Sequence, residues 1–166
     1  MGNWFSTDHT VGAPGLDLSN GGTDVLFDVL TLAGCCLAST PWPQNLVLSF
    51  ADGHRIGRGD SGFALVDLPW TDDWAQEKVF FVDLLALAAE RYGWERLAYD
   101  PPYAVDYVNR FRELLAVFSP TLGLVANEKD WRLPPSPELL ALCPRHDLYV
   151  GQFGCRLCDH EIQPIS

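Results

Sequence analysis

The sequence predicts an α+β fold: an antiparallel β-meander packed with two to three helices and closed by a C-terminal zinc-knuckle tail. Three observations predict it. Short apolar runs broken by turn residues cluster between positions 45 and 68, helical spacing dominates 24–38, 73–92 and 100–118, and a Cys/His pattern ends the chain. This gives a globular body over 1–126, a proline-rich linker with a short helix over 127–142, and a zinc-knuckle tail over 143–166.

Residues 1–22 are rich in Gly, Ser, Thr, Asn and Asp and read as an irregular lead-in, pinned to the body by Trp4, Phe5, Val11 and Leu16. From 24 to 38, Val25, Val29, Leu32 and Cys36 recur at helical spacing, as do Leu26, Leu30, Ala33 and Leu37. A mostly buried helix with Thr23 as N-cap fits them, and a strand from Val25 to Leu32 is the rival. Pro41 and Pro43 read as a break. NLVLSF, the pair Asp52-Gly53, HRIGRG and FALVDL then read as three strands, because Asp-Gly between apolar runs favours a hairpin turn.

After Pro69, Asp73 and Gln76 have capping-box form, and the helix they open is expected to reach Tyr92 and stop at Gly93. Residues 79–89 are apolar nearly all round, which places that helix in the middle of the fold. WERLAY (94–99) reads as a short strand. Asp100-Pro101-Pro102 starts another helix, with Val108, Phe111, Leu115 and Phe118 as its apolar stripe. TLGLVA (121–126) reads as a further strand, and Glu138–Leu142 as a short helix leading to the tail.

Composition bounds the function. Of 166 residues, 48% are hydrophobic, which supplies a core for one ordinary domain. The net charge of -11 repels nucleic acid and anionic membrane and attracts basic partners. No run of about 20 apolar residues is present to span a membrane, and no secretion signal is read. Met1, Gly2 and Ser6 match the short N-myristoylation pattern, without the polybasic run that a stable anchor needs.

Five cysteines are present, and three of them fall in the last 24 residues with His146 and His160. Cys143 and His146 are separated by two residues, as are Cys155 and Cys158, with eight residues between the pairs. Zn²⁺ favours four tetrahedral N/S ligands, and a two-residue gap lets both members of a pair reach one ion. The expected set is therefore Cys143, His146, Cys155 and Cys158, with His160 as the alternative to His146. The stretch resembles the short knuckles of zinc-ribbon proteins over about 20 residues, and the resemblance implies a folding role rather than an activity. Four protein ligands leave no open position for catalysis. Zinc deaminases resemble this tail in their Cys-x-x-Cys pair, but they need a His-x-Glu element, and here Asp147 and Leu148 follow His146. Thiolate ligands and the unpaired Cys35 and Cys36 suit a reducing compartment, so the cytoplasm is expected.

Other motifs carry less. Gly59-Asp60-Ser61-Gly62 resembles the nucleophile segment of chymotrypsin-like serine proteases, which pairs with a histidine base such as His54 or His9. Those enzymes place two barrels of chain around the triad, whereas only 60 residues precede Ser61, and a tight turn explains the same residues. Arg58-Gly59-Asp60 spells an integrin-binding tripeptide that chance explains. Asp67, Trp70, Asp72, Asp73 and Trp74 form an acidic, aromatic group with two readings: a helix start over a covered core, or a partner-binding patch. Asp100, Tyr103, Asp106 and Tyr107 repeat the theme. The function expected first is a non-enzymatic, inhibitor- or immunity-like protein that binds a basic protein partner. An enzyme of unknown class using carboxylate catalysis with a structural zinc comes second, and a viral or eukaryotic adaptor with a myristoylated N-terminus third.

Overall fold

The computed structural model describes residues 3–55, 62–120 and 129–162. It is a mixed α+β fold which, among the described residues, has five α-helices and a two-stranded antiparallel sheet. Strands β1 (Asn3–Ser6) and β2 (Gly15–Leu18) pair with Asn3 opposite Leu18. The lead-in expected to be irregular is thus a small hairpin. Its alternation sends Phe5, Leu16 and Leu18 into the core and leaves Trp4 largely exposed.

Helix α1 (Asn20–Leu37) is the hub, packing against α2, α3 and α4. The sequence supports a helix here, and it starts earlier than the spacing suggests. Ser19 is the N-cap, its hydroxyl accepting from the Gly22 N–H at 3.1 Å. Thr23 lies inside the first turn, with its hydroxyl donating to the Ser19 carbonyl. Gly34 sits at the crossing with α2, where a Cβ would fall 2.5 Å from Val47 Cγ2.

The expected meander is not what forms. Residues Pro41–Asp52 are helix α2, and Leu65–Asp67 is a single 3₁₀ turn. Pro41 and Pro43 do not break the helix because they occupy its first turn, where no backbone N–H is needed. Trp42, Leu46 and Phe50 then recur four apart on the buried face. The pair Asp52-Gly53 is the end of this helix rather than a hairpin turn, and His54 follows at φ 51. Most of HRIGRG, and Gly59 to Ser61 with it, lies outside the described residues.

Helix α3 (Trp74–Ala89) ends before Tyr92, with Arg91 and Gly93 both in the left-handed region. Asp73 is its N-cap residue but makes no side-chain cap bond. Instead Glu77 reaches back to accept from the N–H and the hydroxyl of Thr71. One face is buried through Phe81, Leu84, Leu85 and Ala88, while Val79 and Val82 face outward, so α3 is not enclosed all round. WERLAY is not a strand: Trp94–Arg96 is a 3₁₀ turn. Helix α4 (Ala104–Val117) buries Val108, Phe111 and Leu115 as expected. TLGLVA lies outside the described residues, and Glu138–Leu142 is a turn rather than a helix.

The core is a packed set of phenylalanines between α1, α2, α3 and α4. Phe5 meets Phe27 and Phe111 edge-on, and Phe50 meets Phe81 edge-on, at ring separations of 5.6–5.9 Å among these contacts and the Phe81–Phe111 stack. Trp42 stacks on Trp70 at 5.1 Å and touches Trp131 at 5.4 Å.

A carboxylate lies inside this apolar assembly. Asp28, on α1, has no solvent exposure. It accepts from Arg156 Nε, from the Tyr99 hydroxyl and from His160 Nε2. Burial alone would push its carboxyl up, but Arg156 and then His160 hold it below the ordinary carboxylate range. Asp28→Ala is expected to cost about 3–5 kcal/mol in denaturant unfolding, because it strands the buried Arg156 charge. Replacing both partners, Asp28→Leu with Arg156→Met, should recover most of that loss. The pair's contribution is complete above the ordinary carboxylate pKa and fades as pH falls through the depressed folded value. A single substitution costing under about 1 kcal/mol would show that the pair does not hold the fold.

Candidate metal centre

The tail places its four donors through two local turns. Leu142 and Tyr149 form an antiparallel bridge, and inside it the Cys143 N–H donates to Leu148 O while the Asp147 N–H donates to Cys143 O, both at 2.8 Å. Asp147 takes φ 56 to close this turn. The chain then reverses through Gly151, where a Cβ would lie 2.4 Å from Asp52 Oδ1. Asp52 accepts from the Gln152 and Phe153 N–H groups at 2.9 and 3.3 Å, so the end of α2 holds the reversal. Helix α5 (Arg156–Ile162) follows directly, and Cys155 and Cys158, three apart, face the first pair.

The donor atoms of Cys143, His146, Cys155 and Cys158 all lie within 4.8 Å of one another. His146 Nδ1 is 3.7 Å from Cys143 Sγ, 3.5 Å from Cys155 Sγ and 3.4 Å from Cys158 Sγ, and Cys143 Sγ is 3.6 Å from Cys158 Sγ. A tetrahedral ion with metal–sulfur bonds of about 2.3 Å and metal–nitrogen bonds of about 2.0–2.1 Å has edges of about 3.8 Å (S–S) and 3.5 Å (S–N). These four separations match those edges, and the two remaining sulfur pairs lie within 4.8 Å. They are far longer than the roughly 2.05 Å of a disulfide. These four residues could therefore hold one metal ion.

Electrostatics favour a cation there. Burial pushes the Cys143 thiol up, but the N–H groups of Arg145 and His146 and the His146 ring outweigh it and bring the thiol down to about 7. Burial and the neighbouring cysteines push Cys155 up, and Cys158 up to about 12. Three adjacent thiols resist ionising together, and a bound cation removes that resistance. His160, the alternative ligand, is turned away: its Nε2 lies 3.1 Å from Asp28.

The tail is docked on the body. Leu148, Leu157 and the buried cysteines pack with Leu32 of α1 and with Trp94 and Leu97. Arg156 lies between the ligands Cys155 and Cys158 in sequence and reaches Asp28. Its Nη1 also donates to the carbonyls of Phe50 and Gly53 at the end of α2, at 2.7 and 3.0 Å. Arg55 donates to Asp159 at 2.7 Å and to the Gly154 carbonyl, and Arg96 donates to His146 O at 2.7 Å. The sequence reading did not find this network. Its one signal was Asp28, an acid inside an apolar helical run, which has to find a partner when buried.

The members of the acidic, aromatic group differ in exposure. Trp70 is half-buried, stacked on Trp42, and its indole N–H donates to Leu65 O at 2.8 Å. Asp67 pairs with His9 at 2.8 Å, Trp74 is half-buried, and Asp72 and Asp73 are exposed. In the second group Tyr103 is 75% exposed, while Tyr107 packs beside Gly22. His54 Nδ1 lies 2.9 Å from Asp24.

Compared with protein-family models, curated proteins and solved structures, the chain shows no match.

Protein purified without added metal is expected to carry one metal ion per chain by elemental analysis. Acidification should release it, because every thiolate must take up a proton to let go. Cys155→Ser should abolish stoichiometric binding and lower the unfolding midpoint of the whole domain, since the tail's Arg156 closes α2 and neutralises Asp28. Full metal content in Cys155→Ser would remove Cys155 from the ligand set.

Proposed function

We propose that the chain is a non-enzymatic binding protein of inhibitor or immunity type, stapled by one structural zinc ion and acting on a basic protein partner. The observation that carries the zinc reading is the closed set of three sulfurs and one nitrogen at tetrahedral spacing. Soft thiolates with one imidazole suit zinc, and four protein donors leave no position for a substrate or a reactive water. The thiolates need a reducing compartment, which supports a cytoplasmic setting. The net charge of -11 supports a basic partner, for which electrostatic attraction speeds encounter and apolar contact sets lifetime.

An enzymatic reading is favoured by one observation, the Asp24–His54 pair, which has the geometry of a base held by a carboxylate. In its favour the carboxylate meets Nδ1. Against it, His54 Nε2 faces Asn20 Oδ1 at 3.4 Å, and Asp24 also lies 3.6 Å from Arg156, as in a structural network. The adaptor reading rests on Gly2, outside the described residues.

Capture from native host extract at low and high salt, followed by mass spectrometry, tests the binding reading. The expected result is a discrete basic protein that is held by the zinc-loaded chain and whose association rate falls with added salt. Capture of acidic proteins alone, or loss of activity in an enzymatic screen on His54→Ala, would overturn it.

A further inference from the structure

A groove of about 420 Å³ opens where the end of α1 meets the first turns of α2 and α3. Leu37, Pro41, Pro43 and Phe80 give it apolar walls, and the buried Trp42 lies at its base. Glu77 lines it and is only 6% exposed. Both bonds its carboxylate accepts come from one neutral residue, Thr71: the N–H to Oε1 at 2.9 Å and the hydroxyl to Oε2. Among the described residues Glu77 makes no ion pair. A carboxylate offers about four lone-pair positions, so roughly half of its acceptor capacity remains. Buried charges are ordinarily paired, and an acid left half-satisfied at the wall of an open groove is matched by an incoming cation.

The groove's own cation does not meet that need. Arg132 lines the rim and its charge is felt by Glu77 and Asp72, but its Nε and Nη2 are bound by Asp130 at 2.9 and 3.0 Å and it makes no ion pair with Glu77. Asp73 lines the same rim and Asp72 adjoins it, both exposed. The walls are therefore apolar and the field is negative.

We propose that this groove receives an arginine side chain from an extended segment of the basic partner, with the guanidinium on Glu77 and the stem against Pro41, Pro43 and Phe80. The proposal rests on the basic-partner reading above and gives it an address. Arginine suits the site better than lysine because its planar fork makes two parallel bonds to a carboxylate and lies flat on an aromatic face. The same geometry explains why Trp70 and Trp74 need not be the contact: the aromatic side chain that lines the groove and keeps some exposure is Phe80.

The test uses the full zinc-loaded chain and a fluorescent oligo-arginine peptide, with oligo-lysine and oligo-citrulline peptides of equal length as comparators, read by anisotropy. The expected order is arginine tighter than lysine, with citrulline not bound. Glu77→Gln should weaken the arginine peptide by at least about tenfold, since it removes the charge the guanidinium meets. Because Glu77 also pins Thr71, a second variant guards against misfolding: Thr40→Arg, at an exposed groove position whose side chain makes no cap bond, should block binding to a similar extent. The double variant Asp100→Lys with Asp106→Lys, on the α4 side, should change binding by less than about twofold once salt screens distant charge. If groove and α4 variants weaken the peptide alike, the acidic surface binds diffusely: the groove is then overturned and the basic-partner reading survives. If no basic peptide binds at all, both fall.

Discussion

Asp28 is the constraint around which the rest of this molecule is arranged. An ionised carboxylate with no solvent exposure cannot be tolerated in a helix interior unless its charge and lone pairs are met. They are met from far along the chain, by Arg156, His160 and Tyr99. Tyr99 feels the consequence, since burial and then the Asp28 charge push its hydroxyl well above the ordinary tyrosine value. A buried pair of this kind adds little net stability over an apolar substitute. What it does add is uniqueness: only one placement of the tail brings Arg156 to Asp28, so the pair fixes where the tail sits on α1.

The metal centre and the ion pair then depend on each other. Arg156 stands between Cys155, which precedes α5, and Cys158 within it; the two sulfurs join the Cys143–His146 group while the guanidinium reaches Asp28. A seven-residue helix is too short to be stable alone. Arg156 and His160 tie it to Asp28, and a metal ion on Cys155 and Cys158 would tie its start as well. Arg156 also closes the end of α2 by taking its last carbonyls, which favour a cation there. The tail is thus a component of the helical body's own hydrogen bonding, although its sequence looks like an appendage behind a proline-rich linker.

That difference marks what could be read from residues alone. That Cys143, His146, Cys155 and Cys158 would come together was legible because metal-ligand spacing survives in one dimension. Helices α1, α3 and α4 were legible through apolar recurrence, although α3 was expected to be enclosed and instead turns Val79 and Val82 outward. Helix α2 was misread because two prolines and an Asp-Gly pair carry strong local meanings, and each has a second one. Proline also begins helices, and Asp-Gly also follows them. The spacing of Trp42, Leu46 and Phe50 carried the helical signal, which the strand reading of NLVLSF left out. The Asp28–Arg156 contact spans 128 residues and has no periodic trace, so only the oddity of an acid in an apolar run pointed toward it. The acidic, aromatic group was read from adjacency in sequence, which carries no sign that Trp70 stacks on Trp42 and is half-buried there.

Helix α2 joins the two ends of the molecule that carry its chemistry. Its first turn, Pro41 to Pro43, walls the groove, and its last carbonyls and Asp52 are bound by Arg156 and by the turn at Gln152 and Phe153. Twelve helical residues span about 18 Å, and the interlocked crossing at Gly34 and Val47 leaves α2 little freedom to shift against α1. The Cys/His cluster therefore need not touch the groove to bear on its shape. A metal ion bound there would order the Arg156 side chain, which holds one end of the element whose other end walls the groove and which α2 cannot replace from its own sequence. The constraint is physical: the buried ion pair fixes the C-terminal end of α2, while Asp72 and Asp73, beside its first turn, stay exposed.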